Sequence, residues 1–264
     1  MGLQHKLLFV TDLDATLLDH TYSYEAAGEA IARLRELGLP LVLNSSKTLA
    51  EMEDLAKELK LDSPIVAENG GLLAIQEERG GNYTVEIHGV ARSEILSAAH
   101  QLRHAMGYRF AGFADWSDQE LAERTGLTVQ QAQRSRSRLA TEPIVWNDTE
   151  LHRIAFAEAL AVDGIRMLRG GRFWHLMGTA DKADGLTAVF DFFKTQEPTV
   201  NWIVVALGDS ANDTAMLEAA DIAVVIPHAD GPHITPQAPR VLQAPFPTSK
   251  GWNAAVLSIL NEYC

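Results

Sequence analysis

The sequence predicts an α/β protein: a doubly wound parallel sheet interrupted by an inserted α+β block. Three observations predict it. Short apolar runs alternate with helix-period segments over residues 7–71, the pattern of βαβ units and a parallel sheet. That pattern breaks near residue 82 and resumes after 180, which an insertion explains most simply. Polar and acidic residues follow the apolar runs at their carboxyl ends, where open α/β sheets bind ligands. The expected parts are residues 1–81 and 179–264 for the core and 82–178 for the insertion.

Leu7-Leu8-Phe9-Val10 begins a buried strand over 7–12. Residues 24–37 carry Ala27, Ala30, Ile31, Leu34 and Leu37 at helical spacing, and Gly38 ends that helix as a C-cap. A second strand at 40–43 leads to Asn44-Ser45-Ser46-Lys47-Thr48, and Thr48 suits the N-cap of a helix over 49–59. A third strand, 64–67, ends at Glu68-Asn69-Gly70-Gly71. In the insertion, 83–88 alternates like a half-exposed strand, 93–106 is an amphipathic helix and 108–113 a strand. Short helices are expected at 117–125 and 128–138, a strand at 143–146, a helix at 148–160 and a hairpin of 163–168 with 172–176. Gly178 and the stretch near Gly80-Gly81 are the expected hinges. Beyond them come a helix at 182–194, a strongly apolar strand at 202–207, a helix at 214–220, a strand at 222–226 and a terminal helix at 251–262. The proline-rich stretch 227–247 reads as an ordered, irregular loop.

A chain of 264 residues exceeds one ordinary core, so two domains are expected. With 47% hydrophobic and 22% charged residues it has the composition of a globular protein. No apolar run reaches membrane-spanning length, and the net charge of −13 argues against a nucleic-acid partner. The only cysteine is Cys264, so no internal disulfide forms and a cytoplasmic setting is expected. The overall field repels anions. An anionic small molecule would therefore need a bound cation and a few convergent basic residues.

Four constellations carry chemistry. Asp12 and Asp14 sit two apart at a strand's end, costly to desolvate without a positive partner. A hard divalent cation such as Mg²⁺ would serve. One such carboxylate can attack phosphorus and a second can move the proton, although an acidic turn gives the same letters. Ser45 at a helix start suits a phosphate oxygen, or simply caps the helix. Lys182 at another helix start opposes the helix dipole and could neutralise Asp12 and a phosphate, or lie solvated. Gly208-Asp209-Ser210-Ala211-Asn212-Asp213 follows an apolar strand and offers acids for Mg²⁺, or a cluster of caps.

In this order, the four stretches resemble the motifs of the haloacid dehalogenase-like hydrolases. The resemblance implies a Rossmann-like core and a Mg²⁺-dependent phosphatase. In it Asp12 is the nucleophile and Asp14 the acid/base; Ser45, Lys182 and Asn212 bind phosphate. Asp12, Asp14 (through its backbone carbonyl), Asp209 and Asp213 form the metal site. Ala15 stands where many members have glycine, and is accommodated if its φ is negative. The place of the insertion resembles the cap of the Cof-type subgroup. Asn44 to Thr48, Ala67 to Gly71, Thr141 to Ile144 and Arg169 to Gly178 are similar to the mannosyl-3-phosphoglycerate phosphatase family. That similarity implies release of phosphate from a phosphorylated sugar–glycerate, giving the compatible solute mannosylglycerate. Glucosyl-3-phosphoglycerate and sucrose phosphate are alternatives, as is a phosphotransferase or mutase. Arg169, Arg172 and His175 are the candidate substrate ligands on the insertion, with Arg134, Arg136 and Arg138 behind them. A tight surface turn or a packed strand would also account for the first three. Glu68 and Asn69 either bind sugar hydroxyls or shape their turn. Trp174 is the one tryptophan to consider as a sugar platform.

Overall fold

The computed structural model describes residues 4–77 and 81–264. The chain runs β1 (Gln4–Thr11), α1 (Gly28–Glu36), β2 (Leu41–Asn44), α2 (Leu49–Glu58), β3 (Ile65–Ala67), β4 (Leu72–Gln76) and β5 (Tyr83–Ile87). Then come α3 (Arg92–Met106), β6 (Phe110–Gly112), α4 (Asp118–Thr125), α5 (Val129–Arg136), β7 (Thr141–Trp146), α6 (Glu150–Ala161), β8 (Arg166–Arg169) and β9 (Trp174–Met177). It closes with α7 (Lys182–Gln196), β10 (Val200–Gly208), α8 (Thr214–Glu218), β11 (Ile222–Val225), β12 (Arg240–Gln243) and α9 (Thr248–Tyr263).

Eight strands form one sheet in the order β12-β11-β10-β1-β2-β3-β4-β5. From β12 to β3 the pairing is parallel; β4 and β5 are antiparallel. Both faces are covered, so β1 is apolar without a break from Leu7 to Val10. Leu7 and Phe9 pack with Trp252 and Val256 of α9, while Leu8 and Val10 face Leu186 and Val189 of α7 and Met216 of α8. The chain runs from β1 to β2 on one side and later fills the other side with β10. The order therefore reverses at β1, and such switch points open a crevice at the strands' carboxyl ends.

The inserted unit is a second, antiparallel sheet in the order β6-β7-β9-β8. Helices α3 and α6 cover it through Ile95, Ala99, Phe156 and Leu160. Helices α4 and α5 close a smaller cluster around Phe113, Trp116, Leu121 and Ala132.

Three expectations are corrected. The strand at 83–88 does not begin the insertion: β5 pairs with β4 at the edge of the large sheet, so the expected boundary at 82 moves to about Gly89. Period-two alternation marks a half-exposed strand but not the sheet it joins. At the crossing, Gly89 (φ 94°) lies against Gly178, where an added Cβ would stand 2.9 Å from the Val90 nitrogen. Of the expected hinges, Gly178 is at the crossing, Gly81 precedes β5, and Gly80 lies outside the described residues. Within the expected loop at 227–247, β12 forms a parallel edge strand. Its alternating half-exposed residues are too few to stand out among prolines. β4 was not expected either. The other elements fall where periodicity put them, their ends displaced by a few residues.

Candidate active site

Register builds the site. Thr11 of β1 lies opposite Leu207 of β10, so Asp12 and Asp209 leave adjacent strands together. Thr11 accepts from Trp252 Nε1 at 2.9 Å and donates to the Asp12 carbonyl at 2.8 Å, tying α9 to this strand end. Next door, at the end of β2, Asn44 Nδ2 donates to the Lys182 carbonyl at 2.8 Å and so holds the start of α7. Asp181 caps that helix by accepting from the Ala183 and Asp184 amides. Gly70 makes the docking possible: a Cβ there would stand 1.8 Å from the Asp181 carbonyl oxygen.

Lys182 is fully buried, and its Nζ donates to Asp12 Oδ1 at 2.6 Å and Asp213 Oδ1 at 2.5 Å. Burial and the helix dipole both work against its charge. The two carboxylates outweigh them and hold the ammonium above its ordinary range. Asp12, Asp209 and Asp213 bring carboxylate oxygens within 4.8 Å of one another. One ammonium thus faces three acids. Burial pushes the Asp12 carboxyl well above the usual carboxylate range against the pull of Lys182, and Asp213 and Asp209 add to the rise. The Asp209 carboxyl is raised too, by burial first and then by Asp213. This excess of buried negative charge and the all-oxygen donor set fit a hard divalent ion. Of the three, Asp213 has the least to offer a metal. One oxygen is on Lys182, and the other accepts from the Asp209 and Ser210 amides and the Ser210 hydroxyl. Asp209 keeps Oδ1 on the Thr16 hydroxyl at 3.1 Å.

Asp14 is held from the side. Lys47 Nζ lies 3.0 Å from its Oδ2 and 5.1 Å from the centre of the Tyr22 ring, and Asp14 Oδ1 is buried without a partner. Burial would lower the Lys47 pKa, but the contact with Asp14 raises it above its ordinary value. Between the two acids and Thr16, Ala15 has φ 58°, so the expectation of a negative φ is corrected. The turn after Asp14 needs the left-handed region whichever residue fills it, and alanine costs about 1–2 kcal/mol there relative to glycine.

A cavity of about 730 Å³ separates this cluster from the inserted unit. Its lining includes Asp12, Asp14, Lys182, Asp209, Asn69 and Asn212. Across from them are Arg166, Leu168, Arg169, His175 and Met177 of the β8–β9 hairpin. Asn212 Nδ2 donates to Asn69 Oδ1 at 3.2 Å, so these two amides form one part of the wall. Ser45 is buried with its Oγ accepting from the Lys47 amide, and it is Ser46 that lines the cavity.

Glu68 does not face the cavity. Fully buried, its carboxylate accepts from the Leu139 and Ala140 amides and the Thr141 hydroxyl at 2.8, 3.1 and 2.6 Å. It fastens the inserted unit to the core, which corrects its reading as a sugar ligand. Arg172 turns away to the Thr125 carbonyl. Arg134, Arg136 and Arg138 engage Asp54, Asp118 and Thr141 instead of a ligand. Trp174 is outside the lining and has the Arg153 and Arg169 guanidinium groups over its ring at 4.3 and 5.2 Å. Arg166 was not foreseen. It donates to the Gly178 and Ala180 carbonyls, joining β8 to the segment that leads to Lys182. Its signal was available: it is the third arginine of the same hairpin.

His175 lines the cavity as a neutral ring. Burial, and then Arg138, pull its pKa down to about 4, and its Nδ1 is buried without a partner. It offers a hydrogen bond, not a positive charge. In the unfolded chain a histidine titrates near about 6.5. The folded state therefore takes the proton less readily, and stability is lost as pH falls through the window between those values. The expected loss from this residue is about 2 kcal/mol between about pH 7.5 and pH 5. Urea unfolding of wild type and His175→Gln at both pH values measures it. Equal pH dependence in the two chains would show that the ring is not held neutral.

Residues 9–155 match the profile of the haloacid dehalogenase-like hydrolases. The chain is 31% identical to the glucosyl-3-phosphoglycerate/mannosyl-3-phosphoglycerate phosphatase of Methanococcoides burtonii, over 97% of this chain and 98% of that one. It is 32% identical to the protein so named from Persephonella marina, with the same coverage. Among solved structures, it resembles a phosphatase of the same superfamily from Bacteroides thetaiotaomicron, with a TM-score of 0.66 and 16% identity over 99% of this chain and 96% of that one. A second haloacid dehalogenase-like hydrolase from that organism gives a TM-score of 0.65 at 18% identity, over 98% of this chain and 100% of its own.

Proposed function

Because the chain belongs to the haloacid dehalogenase-like hydrolases, and is a phosphoric monoester hydrolase acting on a small phosphorylated molecule, we propose that its substrate is mannosyl-3-phosphoglycerate. Glucosyl-3-phosphoglycerate is the second reading, favoured by relatives whose name carries both sugars. One observation carries the proposal: a buried acid–lysine cluster faces Arg166 and Arg169 across a single cavity. A phosphate at the cluster leaves the glycerate carboxylate and the sugar to the hairpin side. Arginine suits that carboxylate, while Asn69, Asn212 and neutral His175 suit hydroxyls. In this reading residues from about 89 to 178 are a cap that sets specificity.

The chain's residues divide the chemistry as follows. Asp12 Oδ attacks phosphorus, and the bond from phosphorus to the glycerate oxygen breaks. Asp14 gives its proton to the leaving alkoxide. Once mannosylglycerate has left, water attacks phosphorus of the aspartyl phosphate, Asp14 takes its proton, and the bond from phosphorus to the Asp12 oxygen breaks, freeing phosphate and the Asp12 carboxylate. Lys182 keeps the Asp12 oxygen in place and offsets charge on the phosphoryl group; Ser46 and Asn212 line the same space. Mg²⁺, held by Asp12, Asp209 and the Asp14 backbone carbonyl, would neutralise the phosphoryl oxygens. No helix among the described residues is long and apolar enough to cross a membrane. A cytoplasmic setting belongs to this proposal through the lone cysteine, Cys264, which is free.

Phosphate release from the two glycosyl-3-phosphoglycerates, beside mannose 6-phosphate and sucrose phosphate, tests it. The expected preference in kcat/KM is roughly 10²-fold or more, because a simple sugar phosphate leaves the arginines without a carboxylate. Equal rates across the panel would remove the substrate assignment. Activity that survives complete chelation of divalent ions would remove the metal.

A further inference from the structure

We propose that Arg166 couples the two ends of the substrate: it holds the glycerate carboxylate and, through the same guanidinium, sets the segment that delivers Lys182 to the phosphate. The inference rests on the reading that the substrate carries a carboxylate. Register places Arg166 for this. It pairs with Met177, and Leu168 pairs with His175, so these four side chains share the face of the hairpin that lines the cavity. Arg169 pairs with Trp174 on the other face, and its guanidinium lies 5.2 Å from the centre of that ring. Of the two arginines, Arg166 is therefore the one that the sheet directs into the cavity.

Its guanidinium has two edges. The side edge is occupied: Nε donates to the Gly178 carbonyl at 3.0 Å and Nη2 to the Ala180 carbonyl at 2.8 Å. Both acceptors are neutral, so neither bond offsets the positive charge. The remaining N–H donors lie at the outer end, on Nη1 and Nη2, and suit a two-pronged bond to a carboxylate. The two edges therefore serve different partners without competing. Residues 178–181 are the chain's return from the inserted unit to the core, and Lys182 follows Asp181, the cap of α7. Gly178 lies against Gly89 of the other crossing. A carboxylate bound end-on immobilises the guanidinium, and the bonds to residues 178 and 180 then lose less freedom on forming. Binding energy from a part of the substrate that does not react is in this way used at the reacting end, so its removal lowers kcat as well as raising KM.

Phosphate release by wild type from a glycosyl-3-phosphoglycerate and from its neutral carboxamide gives the first test, which needs no variant to fold. The kcat for the acid is expected to exceed that for the amide roughly tenfold or more, on top of a lower KM. Arg166→Met should bring the acid-to-amide ratio in kcat close to one, whatever it does to the amide rate. Arg166→Lys keeps the charge without the fork, and should recover part of the preference in KM and little of that in kcat. Equal kcat for acid and amide in wild type would overturn the coupling. An unchanged ratio in Arg166→Met, with both rates lowered by one factor, would overturn it too and leave Arg166 as a brace of residues 178–180. If wild type releases phosphate from mannose 6-phosphate as fast as from the acid, the substrate reading itself fails and this assignment with it.

Discussion

Replacing Asp12 by asparagine is expected to lower kcat by about 10⁴-fold or more while leaving the protein at least as stable as wild type. The two halves of that expectation have one origin. Asparagine keeps the size of the side chain and an oxygen for the Lys182 ammonium, but it lacks the anionic oxygen that attacks phosphorus. Asp12 is also one of three buried acids around one buried lysine. Its removal relieves repulsion with Asp213 and Asp209, while Asp213 still neutralises Lys182. Steady-state phosphate release and urea unfolding, run on the same preparation, measure both. Turnover within tenfold of wild type would exclude Asp12 as the nucleophile. Inactivity together with unfolding would leave the cluster's charge balance wrongly described.

The largest stability effect is expected at Lys182. Lys182→Met fills the same space without charge, leaving Asp12, Asp209 and Asp213 with no counterion. Breaking a buried ion pair from one side costs about 3–5 kcal/mol. The loss should be largest at alkaline pH. Without the ammonium, the carboxyls of Asp12 and Asp209, already raised by burial, are pushed further above their unfolded range. The folded state then binds more protons than the unfolded state, and stability recovers as pH falls through the raised values. Unfolding in the presence of a chelator, at about pH 8 and pH 5, checks the size and the sign. A loss below about 1 kcal/mol, the range of an exposed ion pair, would mean that water reaches the lysine.

The opposite signs at Asp12 and Lys182 bear on what could be read in the sequence. Both residues were legible because each stands at the end or start of a strongly periodic element, and the parallel sheet brings such ends together. The same holds for Asp209 and, within a few residues, for most strands and helices. What periodicity could not show was partnership across the chain. Glu68 and Asn69 are neighbours in sequence, yet one is locked into the inserted unit and the other lines the cavity. Consecutive positive φ values of 54° and 58° turn them apart, and no pattern of hydrophobicity records a φ angle. Arg172 and Arg169 differ in the same way, since a hairpin turn decides which arginine meets the cavity. Lys47 lies within a stretch read for its hydroxyls, and its pairing with Asp14 depends on two strands lying side by side.

The buried carboxylate of Glu68 has a consequence for how such enzymes diversify. An insertion between two strands looks like a detachable module, free to be exchanged for another with different specificity. Here its seat is keyed: one acid of the core reads two backbone amides and a hydroxyl of residues 139–141. An acid is not forgiving of a receptor that lacks those donors, since it would be buried unpaired. Transplanting a foreign insertion onto this core would therefore succeed only where the loop before its central strand carries the matching key. The unit that can be inherited or engineered as one piece is the insertion together with the turn at 68–71, and that turn brings the cavity residue Asn69 with it.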